Sequence, residues 1–373
     1  MRSATRTLGA IAGAVLLTGC SLFARPLLPV VPVEGSAFAP VLPAASASVG
    51  RVLGTSCTGR PLSGSGFVVG ERLVLTAAHV VAGAHQVSLR LSGRAPVLAD
   101  VVGLDAARDT AMLRTAAVLP VAPLALAGPA VAAPGTEVAT LGLPLGESEP
   151  GVALTRITSV TDRAVVNDHP LRDLVTVDTA LAPGSSGGPA IAPDGRVLGM
   201  VVATIGGRGG RDSAATVTLA IDTASLAQSV AQWSPRAPLP AVPCDGDRPA
   251  PGPGPAIVLA DGAVPEPAHS LWLYGESVSS GRLGAAWGLL TPAAQAREGG
   301  RERWAAANGA VAWERLEVAS SLRDGDTATV RARLRSAAPG GCADTEAVYR
   351  LALVGGVWLL ESTSPTGAPT PCG

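Results

Sequence analysis

The chain has 373 residues, enough for about two domains that each bury a core of their own. Its formal net charge is −1 and its basic side chains, all arginine, stand singly, which excludes the basic patch that a nucleic-acid partner requires. Hydrophobic residues make up 47% but aromatics only 3%, so the apolar content is Ala, Val and Leu in short runs, as in a soluble β-rich protein.

Residues 1–20 read as an export signal. Arg2 and Arg6 are followed by the apolar stretch LGAIAGAVLL and then by LTGC, and the apolar run is too short to span a bilayer comfortably. LTGC resembles the lipobox of bacterial lipoproteins. That resemblance implies lipidation at Cys20 and a membrane partner through the lipid, on the outer side of the cytoplasmic membrane, or secretion if the lipobox is not used. Residues 21–47, rich in Pro, Ala and Ser, are expected to be a tether.

Over residues 48–233 the pattern is short strands parted by turns. GFVV and RLVLT flank Gly70-Glu71, QVSLRL alternates, and TEVATLGLP, GVALTRITSV and LVTVDTAL follow. AIAPDGRVLGMVVA is a hairpin with Asp194-Gly195 at its tip. So many strands argue for an antiparallel barrel or sandwich. A helix is predicted only at the end, from Asp222 as N-cap through TASLAQSVAQW.

Within this region APGSSGGPAI, residues 182–191, holds Ser186 among glycines and a proline. A serine hydroxyl is a poor nucleophile until a neutral imidazole takes its proton, and a carboxylate must fix that imidazole's tautomer. Of His79, His85, His169 and His269, only His79 has an informative setting, VLTAAHVV, where a β-run ends in small residues that let the backbone turn. The other three read as solvated loop residues. Asp109 in ARDTAMLR is the candidate acid and Asp105 its rival.

LTAAHVV, RDTAML and APGSSGGPA, in that order, resemble the trypsin-like (chymotrypsin-fold) serine proteases of the bacterial exported type. The resemblance implies an all-β double barrel at residues 48–233, with His79 as general base, Asp109 as its orienter and Ser186 as nucleophile. It implies an oxyanion hole formed by the backbone N–H groups of Gly184 and Ser186. It also puts Ala180 at the base of the substrate pocket and Val202 and Ala203 in its wall, a pocket for small or apolar residues before the cut. Substrates would be proteins or peptides, with no metal or cofactor. Ser185 replaces the aspartate with which many animal relatives hold a newly freed N-terminus, which argues against that mode of activation. An α/β-hydrolase would put its acid and histidine after the serine, and the order here excludes it.

Residues 234–256, SPRAPLPAVPCDGDRPAPGPGPA, read as a Pro/Gly-rich linker. Residues 257–373 are expected to be a small α+β domain: helices within SLWLYGESVSSGRLGAAWGLL and REGGRERWAAANG bury Trp272, Leu283, Trp287 and Trp304, and two hairpins turn at Asp324-Gly325 and Gly355-Gly356. This pattern weakly resembles the NTF2-like cone. No second catalytic constellation is present, and its arginines and glutamates suit a solvated face. Removing 257–373 is therefore expected to leave cleavage of a short peptide intact. Beside Cys20 stand Cys57, Cys244, Cys342 and Cys372, and an exported chain keeps such cysteines oxidised. Three connectivities are open, and Cys57–Cys244 with Cys342–Cys372 keeps each bridge around or within one domain. The alternative to an enzyme is a non-catalytic envelope lipoprotein that uses the barrel and C-terminal domain for binding.

Overall fold

The computed structural model describes residues 35–56, 61–128, 132–166, 169–179, 181–205, 217–242, 244, 247, 252 and 254–372. Residues 1–34 with Cys20, as well as Cys57 and Ala180, lie outside them. The tether expected over 21–47 is shorter than its composition suggests. Helix α1 (Leu42–Ala47) and the turns before it seat Phe38, Leu42 and Ala45 in the core, because these apolar side chains gain more from burial than a solvated linker would.

The first barrel comprises β1 (Val49–Ser56), β2 (Pro61–Gly70), β3 (Leu73–Ala77), the single-turn helix α2 (Ala78–Val81), β4 (Ala84–Leu91), β5 (Val97–Asp105) and β6 (Thr110–Thr115). Its strands close in the order β1-β2-β3-β6-β5-β4. The second comprises β7 (Glu137–Gly142), β8 (Gly151–Val166), β9 (His169–Val177), β10 (Pro189–Ile191), β11 (Val197–Ile205) and β12 (Val217–Asp222), closing as β10-β11-β12-β9-β8-β7. Closure leaves neither sheet an open edge. Apolar residues from both, Phe67 and Met112 among them on one side and Leu174 and Ile191 on the other, join in one core.

Helix α3 (Thr223–Trp233) begins where Asp222 Oδ1 accepts the Ser225 N–H at 2.8 Å. It crosses back to the first barrel, and its Trp233 ring lies so close to Gly103 that a Cβ there would come within 2.1 Å of it. Beyond it the chain runs along the first barrel, where Leu239 N–H donates to Val101 O at 2.7 Å.

The C-terminal body contains β13 (Ala256–Leu259), α4 (Pro265–Ser279), α5 (Leu283–Gly288), α6 (Pro292–Arg297), α7 (Arg301–Asn308), β14 (Ala312–Asp324), β15 (Thr327–Ala338), β16 (Gly341–Val354), β17 (Val357–Pro365) and β18 (Thr370–Pro371). Strands run β13-β14-β15-β16-β17, with β18 on β16, and the helices pack on the sheet around Trp272, Trp304 and Trp313. The hairpins turn through Gly325 (φ +57°) and Gly355-Gly356 (φ +58° and +84°), values that glycine adopts without a Cβ penalty. A disulfide joins Cys342 to Cys372, and Cys244 is also disulfide-bonded.

This body shares its core with the first barrel through Leu53 and Leu98. Nearly every residue of α4 is buried, polar ones included. Its Glu266 pairs with Arg90 of β4, His269 Nε2 lies 2.9 Å from Ser88 Oγ, and Ser277 Oγ donates to Gln86 Oε1. The expectation that this domain's charges face water is therefore corrected at Glu266 and Glu276, both buried. His85 and His269, expected in solvated loops, are buried as well. His85 stands at the start of β4, its Nε2 3.1 Å from Asp247 Oδ2, and α4 carries His269 against β4.

Candidate active site

Strand β3 ends at Ala77 and turns at once into α2, so His79 leaves the barrel rim with its ring half in solvent. Asp109 meets it from the β5–β6 turn. Its Oδ1 accepts the His79 backbone N–H at 2.8 Å and its Oδ2 lies 2.6 Å from Nδ1. The carboxylate thereby holds both the ring and the chain that carries it. With Nδ1–H directed to a carboxylate, Nε2 is left as the proton-accepting nitrogen. Asp109 adopts φ +43°, a left-handed value that Asp and Asn tolerate best among residues with a side chain.

Asp105, the rival acid, is employed otherwise. Its Oδ1 caps the turn by accepting from Ala107 N–H at 2.9 Å and Arg108 N–H at 3.1 Å, while Oδ2 pairs with Arg108. Arg108 also reaches Asp173 at 2.6 Å.

Ser186 sits on the turn before β10. Gly187, at φ +88°, passes so near the first barrel that a Cβ would lie 2.1 Å from Ser65 O and 2.9 Å from Ala77 N. Ser65 N–H donates to Ser186 O at 2.7 Å. The serine turn is thus sewn to the end of β3, two residues from His79. The Ser186 hydroxyl is 3.5 Å from Val202 O, which places β11 beside it. Val202 is buried and Ala203 half-buried at a bulge of that strand.

Gly184 has φ +97°, and a Cβ there would lie 2.7 Å from Leu143 O and 2.8 Å from Leu145 N. Its carbonyl accepts from Ser65 Oγ at 2.7 Å, and Ser65 Oγ accepts the Leu143 N–H at 2.8 Å. The backbone N–H groups of Gly184 and Ser186 have no acceptor among the described residues. Ser65 went unnoticed in the sequence, where Gly64-Ser65-Gly66 is only a small-residue stretch within a strand.

Outside this cluster, His85, Cys244 and Asp247 converge as a metal trio would, but the Cys244 sulfur is in a disulfide and offers no thiolate. His269 is far from this chemistry. Burial, with Arg90 and Arg51 adding repulsion, holds its imidazole well below the usual histidine range and hence neutral. Burial also pulls Arg51 down to about 10, against the attraction of Glu266. Among the described residues no helix is long and apolar enough to cross a membrane.

Comparison with known proteins finds sequence similarity within the barrels. Residues 64–200 match the trypsin-like peptidase domain. The chain is 35% identical over 183 residues to the serine protease Rv3671c of Mycobacterium tuberculosis, covering 46% of this chain and 45% of that protein. It is 34% identical over 139 residues to a protein of Marinomonas named "Probable periplasmic serine endoprotease DegP-like", covering 37% of this chain and 29% of the other. It spans less than half the length of either. The crystal structure of the active form of the Rv3671c protease superposes with a TM-score of 0.48 at 27% identity, covering 64% of this chain and 99% of that one. With the two six-stranded barrels and the residues between them in view, residues 64–200 match the trypsin-like peptidase domain, and over that region the chain is similar to bacterial serine proteases.

Proposed function

We propose that the chain is an extracytoplasmic serine endopeptidase. The observation that carries this is the double grip of Asp109 on His79, next to a serine turn whose Gly184 and Ser186 N–H groups have no acceptor among the described residues. Ser186 Oγ attacks the carbonyl carbon of the peptide bond as His79 Nε2 takes its proton. The oxyanion is received by the Gly184 and Ser186 N–H groups. His79 then hands the proton to the leaving amine, and water releases the acyl group by the same steps in reverse order.

The finer parts of this reading rest on residues and pattern. LTGC supports lipidation at Cys20 and membrane anchoring, and the periplasmic designation of a relative supports a place outside the cytoplasm. Ala180, Val202 and Ala203 carry no charge, which supports small or apolar residues before the cut. Four helices packed on a mainly antiparallel sheet, with β13 added in parallel to β14, support the NTF2-like reading of residues 257–373.

The test is a fluorophosphonate probe on the soluble chain, residues 21–373. Labelling of the parent that disappears in Ser186→Ala and His79→Ala is the expected result. No labelling of the parent would overturn the enzyme in favour of a binding lipoprotein, and a peptide library preferring Arg or Lys before the cut would overturn the pocket.

A further inference from the structure

The reading of Gly184 N–H as an oxyanion donor raises the question of what orients it. A trans peptide points its C=O and N–H in opposite directions. Pro183 O accepts the Leu145 N–H at 2.9 Å, so the N–H of the same peptide, that of Gly184, is turned to the other side of the turn. Glycine at 184 has no Cβ to resist a flip of this peptide. The Leu145 N–H is therefore the contact that decides which way the donor faces.

Leu145 lies in the β7–β8 loop, and the C-terminal body holds that loop. The Leu145 side chain packs on the β16–β17 hairpin tip, where a Cβ on Gly356 would come within 2.3 Å of its Cδ1. Arg323, from the end of β14, donates through Nη1 to Gly146 O. The Arg323 side chain is itself fixed, by Nε–H to Gly325 O at 2.9 Å and by the Trp358 ring 5.7 Å beneath its guanidinium. Glu266 accepts from Ser148 Oγ farther along the loop, and Arg51 Nη2 donates to Pro144 O at 2.6 Å from the barrel side.

We propose that the C-terminal domain is part of the peptidase: through Arg323 and Gly356 it holds Leu145 so that the Gly184 N–H stays turned toward the oxyanion. Arg323 is then a positioning residue. The expectation that residues 257–373 can be removed without loss of peptide cleavage is reversed by this linkage.

The experiment uses the full soluble chain with a short chromogenic peptide, rates being normalised to sites titrated with fluorophosphonate. In Arg323→Ala and Gly356→Ala, kcat per titrated site is expected to fall about 10- to 100-fold, less than the loss on removing an oxyanion donor outright. KM should change little, because the donor acts in the transition state. The pH midpoint of the acid limb should stay put, since His79 and Asp109 are untouched. A boronate that mimics the tetrahedral intermediate should weaken by the same factor as kcat/KM, and Arg323→Lys should restore most of the rate. A variant that merely folds poorly would lose titratable sites and keep its rate per site. An unchanged rate per site in Arg323→Ala overturns the proposal, as does a loss that Arg323→Lys leaves unrepaired. A parent without activity would instead overturn the enzyme reading on which the proposal rests.

Discussion

Two seams run through the molecule, and they are made of opposite materials. Between the barrels backbone meets backbone: Gly187 lies on Ser65 O and Ala77 N, and Ser65 N–H reaches Ser186 O. Between the first barrel and the C-terminal body long polar side chains meet: Arg90 with Glu266, Ser88 with His269, Gln86 with Ser277. The first seam has no room for an added atom, while the second has plenty of atoms but no room for an unpaired charge. The same fold thus joins its barrels by close backbone approach and its C-terminal body by buried polar side chains, one ion pair among them.

The sharpest break of the first seam is Gly187→Ala. Its Cβ would meet backbone on two sides at a φ of +88°, so neither neighbour can yield cheaply. The fluorophosphonate labelling rate is expected to fall on the order of 100-fold or more, the cost of displacing catalytic groups by about 1 Å. Gly93→Ala, also at positive φ (+64°) but with open space around its Cβ, should cost only local strain and label normally.

The second seam breaks through Glu266→Ala. It leaves Arg90, with only 1% of its side chain exposed, without its counter-charge, and a loss of about 3–5 kcal/mol is expected in urea unfolding. Arg90→Met combined with Glu266→Leu should lose less, because Arg90 is then not stranded and only Arg51 loses the attraction of Glu266. An equal loss in both would mean that packing, not charge, sets this seam.

The smallest effect is a pH dependence at the same seam. His269 is held neutral in the folded chain, whereas unfolded histidine titrates near about 6.5. Below that pH the unfolded chain binds the extra proton first, so stability is fully present above about 6.5 and falls as pH drops, with a slope of up to about 1.4 kcal/mol per pH unit. Unfolding midpoints at pH 7.5 and 5.5 should show this, and His269→Asn should flatten it.

The serine turn of the first seam and the residues beside it are legible in the sequence, while its Ser65 side and the whole second seam are not. His79, Asp109 and Ser186 stand out because proton transfer and close backbone approach each demand particular residue types within a few positions. QVSLRL reads as an ordinary half-buried strand, yet Gln86, Ser88 and Arg90 on its polar face lie against α4, not water. Nothing local distinguishes a polar residue facing solvent from one facing a helix far along the chain. Ser65 was silent for the same reason, since its partners Gly184 and Leu143 come from the other barrel. The predicted helix over residues 270–290 breaks into α4 and α5 at Gly281, whose φ of +71° ends the first turn series.

The contacts that tie the C-terminal body to the barrels join residues 176 apart for Arg90 and Glu266, and 177 apart for Gly146 and Arg323. A chain made from its N-terminus completes both barrels, and with them His79, Asp109 and Ser186, before either partner has emerged. In that interval Arg90 still faces water and the β7–β8 loop is held from the barrel side alone, without Arg323 or Gly356. On the proposed role of Arg323 and Gly356 the long separation acts as a clock: the cluster of His79, Asp109 and Ser186 assembles early and comes under full geometric control only when the last hairpins have been synthesised and have folded back.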